Sequence, residues 1–126
     1  MKLSNLYLLN TAVAFIFALG LLLGPTTVLT LFGLTTGNTE KLLAQLFGAS
    51  LGGFGLLSWF ARDFADQKAQ DGAAISLFVT NVIAFIVSIL AVLSKAWRSA
   101  GWIAVIIFLL FALGYGYLQF IAPKEE

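Results

Sequence analysis

FGASLGGFGLLSWFARDF, residues 47–64, is the stretch whose reading decides the fold. It is an uncharged apolar run with glycines at helical spacing, a Trp near its end and an abrupt stop at Arg62-Asp63. At 100° per residue, Gly48, Gly52 and Gly55 share one broad face with Gln45, Ala49, Leu56 and Trp59. Gly48 and Gly52 form a GxxxG pair, and Gly55 continues the groove, so a neighbouring backbone can approach closely. Trp59 and Arg62 are the residue types that anchor a helix at a membrane–water interface. The stretch therefore predicts a membrane-crossing helix over 41–61, with a second helix against its glycine face.

Outward from this stretch the same pattern recurs. The chain has 126 residues, 60% of them hydrophobic and only 10% charged, a balance outside the range of soluble globular domains. Its mean hydropathy of +0.98 points the same way. The charges are gathered into clusters, which leaves 3–39, 42–61, 72–94 and 99–123 uncharged. Each is long enough to hold a span of about 20 helical residues. Four spans are predicted, at about 5–23, 41–61, 73–94 and 100–121, forming one all-α domain, an integral membrane up-and-down four-helix bundle.

In the first span Asn10, Ala14 and Ala18 recur at i, i+4, i+8 beside Thr11, a small, faintly polar stripe that should face protein. Gly24-Pro25 ends that span, since Pro lacks an amide donor and restricts the residue before it. The following TTVLTLFGLTTGNTE, residues 26–40, is too short to cross and reads as an interfacial turn or short surface helix. Asn38 or Thr39 is the expected cap of the second span, with Glu40 in its first turn. Asp71 is the expected cap of the third, along which Asn81, Ala84, Ser88 and Ala91 make another small and polar stripe. That stripe is the expected partner of the glycine face. Lys95, Trp97 and Arg98 form an interfacial connection, Ser99 is the expected cap of the fourth span, and Tyr115 and Tyr117 are expected to meet headgroups at its far end.

The absences narrow the function. The chain has no Cys and no His, which removes thiol chemistry and the commonest metal and haem ligand, so no cofactor is expected. No ionisable side chain other than Tyr falls inside an expected span apart from Lys41 at the very start of the second, whereas ion-coupled carriers and membrane enzymes keep such a group there. A net charge of +1 leaves no basic footprint for nucleic acid. Four spans put both termini on one side. That side carries Lys2, Arg62, Lys68 and Lys124 against Lys41, Lys95 and Arg98 on the other, which tips the expectation toward cytoplasmic termini.

LFGASLGGFGLLSWFAR, residues 46–62, resembles a motif of small four-helix bacterial integral membrane proteins, with Phe47-Gly48 and Arg62 as the matching points. The second and third spans also resemble the Erg28-like four-helix scaffold proteins. The resemblance implies a bacterial inner (cell) membrane protein that tethers others and catalyses nothing. The expectation is a non-enzymatic accessory or scaffold protein, binding membrane lipids, other membrane subunits or a copy of itself. The alternative is a passive carrier or channel for a small neutral or lipophilic solute, with Asn10, Gln45 and Asn81 lining a cavity. A pigment-holding subunit, ligating through Asn or Gln, ranks after both.

Overall fold

The computed structural model describes residues 2–121. All regular structure among them is helical: α1 Leu3–Leu23, α2 Pro25–Leu31, α3 Asn38–Ala61, α4 Gln67–Leu93 and α5 Gly101–Gly116, which runs on into a π-helical turn, Tyr117–Ile121. The four long helices, counting α5 with its π-helical turn, are each long and apolar enough to cross a membrane.

The helix ends follow local chemistry. Gly24 closes α1 by donating to the Gly20 carbonyl (2.8 Å), and Pro25 opens α2 at the position where a missing amide hydrogen costs nothing. Gly33, at φ +77°, ends α2 in the left-handed conformation that favours glycine. The next amide, Leu34, then bonds back to Leu29 at 2.8 Å, and both side chains pack in a small apolar cluster with Leu21 and Ala44.

Three expected caps are corrected. Gly37, not Asn38 or Thr39, precedes α3, because its extended backbone lets the helix begin at Asn38 without a side-chain cap. Ala100 precedes α5, and Ser99 makes no cap bond. The third long helix begins at Gln67 instead of Ala73: Asp66 is its cap, accepting from the Lys68 amide at 3.2 Å. Asp71 lies inside that helix and accepts from Gln67 Nε2 at 2.8 Å. Gln, Lys and Ala are good helix formers, so the helix starts in polar residues before the apolar run begins.

α1 and α3 make the most extensive helix pair, followed by α4 and α5. Both pairs are antiparallel. Along α1 and α3, Leu21 lies by Gly48, Ala14 by Gly55 and Asn10 by Ser58; along α4 and α5, Val92 lies by Gly101 and Phe78 by Gly116. The two hairpins meet at one end in a core of Leu6, Tyr7, Ala61, Ala73, Ala74, Leu77, Phe111 and Tyr115. At the other end the Phe32 carbonyl accepts from the Arg98 amide (2.9 Å), and the Phe32 and Trp97 rings meet edge to face at 4.8 Å.

The glycine face of α3 therefore packs on α1, where the sequence reading expected the Asn81, Ala84 and Ser88 side of α4. A Cβ placed on Gly48 would stand 2.9 Å from Leu21 Cβ and 3.2 Å from the Ala18 carbonyl oxygen. On Gly55 it would stand 2.9 Å from the Phe15 ring and 3.3 Å from Ala14 Cβ. The physical reason is complementarity of two small-residue rows: Ala14 and Ala18 bring no bulk to meet the glycines, so the backbones close up. Asn81 and Ser88 are buried on α4, whose main neighbour is α5.

Large apolar side chains cover the outside of every long helix, Ile16 on α1, Leu43 on α3, Ile83 on α4 and Leu110 on α5 among them. Soluble monomers rarely expose contiguous apolar surface on this scale.

Candidate functional site

Tyr7, Asn10, Thr11, Ser58 and Tyr115 gather at the end where the hairpins meet, apart from the buried Asn81 and Ser88 of α4. Asn10 Nδ2 donates to Ser58 Oγ at 3.0 Å and to Tyr115 Oη at 2.9 Å, so one amide joins α1, α3 and α5. Thr11, one residue on, directs its hydroxyl at the Tyr7 carbonyl (2.9 Å) and the Gly55 carbonyl (3.1 Å), sharing one proton between them. The second contact depends on Gly55, since only a close approach of the two backbones puts that carbonyl within reach. Tyr7 Oη donates to the Gln70 carbonyl at 3.0 Å, fastening α1 to α4, and the Tyr7 and Tyr115 rings lie tilted at 5.7 Å. Among the described residues, Tyr7, Tyr115 and Ser58 are the largest side chains fully removed from solvent. One turn beyond Tyr115, the buried Gln119 Oε1 has no hydrogen-bond partner among the described residues.

The residues expected to line a cavity are not brought together. Asn10 is bonded as above, Gln45 donates to the Leu22 carbonyl at 3.3 Å, and Asn81 Nδ2 turns back onto the Leu77 carbonyl of its own helix at 2.7 Å. Tyr115, expected at the headgroups, is buried, while Tyr117 is exposed. Of the interior polar residues Ser58, Tyr7 and Tyr115, the sequence reading gives no role to Ser58 and places the two tyrosines near the membrane interfaces. Two of them had a signal: Tyr7 precedes Thr11 and Ala14 on the same stripe of α1, and Ser58 follows Gly55 by three residues on the glycine face.

The interfacial anchors fall at opposite ends of the molecule. Trp59 and Arg62 lie at the end of the polar cluster, with the guanidinium 3.8 Å above the centre of the indole ring. Asp66 caps α4, and Arg62 faces Asp63, with Nη2 to Oδ2 at 3.7 Å. Lys95, Trp97 and Arg98 lie at the other end, where Lys95 takes the left-handed conformation (φ 64°) and the Trp97 amide reaches back to the Ala91 carbonyl at 3.1 Å. Between α1 and α3, on the outer surface, runs an open groove of about 410 Å³, lined by Leu8, Thr11, Ala12, Phe15, Leu56 and Trp59. Its lining is almost wholly apolar, and Trp59 carries Arg62 at one edge.

No curated protein and no solved structure matches the chain. A family model described as "Domain of unknown function (DUF8292)" matches residues 1–118, a range that contains all four long helices up to the π-helical turn. The chain belongs to the DUF8292 family.

Proposed function

We propose that this chain is an integral membrane protein of the bacterial cell membrane, an up-and-down bundle of four spans with both termini on the cytoplasmic side. It acts as a non-enzymatic accessory or scaffold protein whose ligands are lipids or other membrane helices. The observation that carries the reading is the inverted distribution of polarity. Asn10, Thr11, Ser58, Asn81 and Ser88 are directed into the protein and bonded or buried there, and apolar side chains cover the outward faces. In lipid such an arrangement satisfies interior polar groups and leaves the exterior in an apolar solvent.

The carrier alternative has less support. A solute pathway needs polar groups free to exchange partners around a shared void, whereas Asn10, Gln45 and Asn81 are bonded at three separate places. The interior groups that do converge are the Asn10 amide and the Ser58 and Tyr115 hydroxyls that accept from it. Such a set joins helices and does not make an activated nucleophile with its base.

The reading is tested by extracting the protein from its membrane into polymer-bounded discs without detergent. The expected result is a chain that resists alkaline carbonate washing and leaves the membrane with a partner subunit, or with a lipid enriched over the bulk composition. A lone monomer surrounded by lipid of bulk composition would overturn it, as would selective solute flux through liposomes containing the protein alone.

A further inference from the structure

Trp59, which lines the groove between α1 and α3, carries Arg62 on its ring, and Arg62 faces Asp63; this juxtaposition names the occupant of the groove. Along α1 the groove runs from Phe15 to Leu8, roughly 10 Å at the helical rise. Its small floor residue, Ala12, is exposed, and it is walled by Leu8, Phe15, Leu56 and Trp59. Membrane helix contacts are enriched in small residues, whereas four of the six residues lining this groove are bulky, which favours a narrower occupant. A single acyl chain is narrow enough to lie between them.

Lipid tails are already in an apolar solvent, so a groove of this kind positions a chain without selecting it, and selection falls to the headgroup. At the Trp59 end, Arg62 lies one helical turn further on. Its guanidinium is stacked at 3.8 Å on the indole ring, which holds the plane in a fixed orientation. Its Nε is buried and lacks a hydrogen-bond acceptor among the described residues. The 3.7 Å separation from Asp63 is too long for a hydrogen bond, so the terminal Nη donors of the partly exposed guanidinium, unlike the buried Nε, remain available to an outside acceptor. Asp63 itself is largely exposed beside it. A cation that favours bidentate oxygen acceptors, followed by a carboxylate, is complementary to a phosphate followed by a primary ammonium.

We propose that this groove binds one phosphatidylethanolamine-type phospholipid, its acyl chain lying over Ala12, its phosphate on Arg62 and its ammonium on Asp63. The inference deepens the lipid-binding reading above and rests on it. An anionic glycerol headgroup would satisfy Arg62 and meet repulsion from Asp63. A choline headgroup would bring a quaternary ammonium with no hydrogen to donate to the carboxylate.

The test is native mass spectrometry of the full chain offered phosphatidylethanolamine, phosphatidylcholine and phosphatidylglycerol with identical acyl chains. The expected result is one retained ethanolamine lipid, preferred by about tenfold over the other two. Arg62→Ala should reduce its retention by about tenfold, the scale of one lost charge-assisted contact. Asp63→Asn should abolish the preference over choline while keeping binding. Ala12→Phe, at an exposed position, should fill the groove and remove retention with the thermal midpoint unchanged. Gly53→Ala, which adds a methyl to open space away from the groove lining, should retain the lipid as wild type does. Equal retention of the three lipids, or a preference that survives both Arg62→Ala and Ala12→Phe, would overturn the site while leaving the lipid-binding reading intact. Retention of neither lipid nor partner would overturn both, and a second copy of the chain seated over Ala12 would replace the lipid as occupant.

Discussion

Gly48→Val is expected to destabilise the folded protein by about 2–3 kcal/mol, and Gly52→Ala, four residues along the same face, to stabilise it by up to about 1 kcal/mol. The opposite signs follow from geometry. A side chain on Gly48 runs into the Ala18 carbonyl oxygen, which is backbone on the partner helix and cannot rotate away, as well as into Leu21 Cβ. α1 and α3 must then separate, which also pulls Thr11 away from the Gly55 carbonyl. A Cβ on Gly52 meets Ala18 Cβ at 3.9 Å, an ordinary van der Waals contact, so the gain in helix propensity is left uncancelled. Reversible unfolding in mixed micelles, followed by circular dichroism, measures both. Equal effects at the two positions would mean that the helices do not meet at this register.

Asn10→Leu is expected to cost about 1–2 kcal/mol, the largest effect of any single polar change in the chain. The amide is the donor to both Ser58 and Tyr115, and its loss leaves two buried hydroxyl groups on two other helices short of a partner. Ser58→Ala should cost less, because Asn10 then keeps Tyr115. The pair Asn10→Leu and Tyr115→Phe should be less than additive, with a coupling of about 0.6–1.7 kcal/mol in a double-mutant cycle. Full additivity would remove the claim that this amide holds α5 to the α1–α3 hairpin.

These two positions also show how far the sequence could be read. Lipid-crossing helices are limited by charge, and the expected 5–23 agrees with Leu3–Leu23 because Lys2 and Gly24-Pro25 punctuate the chain at both ends. Charge does not limit a helix as such, which is why α4 begins at Gln67, ahead of the apolar run that starts at Gly72. The GxxxG spacing told that a backbone comes close to Gly48, but spacing on one helix carries no address for its partner. Two candidate rows were available, Ala14 with Ala18 and Ala84 with Ser88, and the short α2 connection folds α1 back against α3. Asn10 was legible as an inward-facing polar residue. Its partners were not, since Ser58 and Tyr115 lie on other helices, 48 and 105 residues away along the chain.

Within the fold, then, the glycine face of α3 is where α1 docks, and the polar cluster fastens the second hairpin to that pair. The most direct measurement is disulfide trapping in native membranes, and the absence of Cys from the chain makes any introduced pair unique. A Cβ at Gly52 would lie 3.9 Å from Ala18 Cβ, inside the roughly 3.5–4.5 Å range that a disulfide requires. Ala18→Cys with Gly52→Cys is expected to close a bridge rapidly under mild oxidation, and Gly52→Cys with Ala84→Cys to remain reduced. The reverse outcome, a bridge to position 84 and none to position 18, would contradict the helix pairing on which the rest of the account depends.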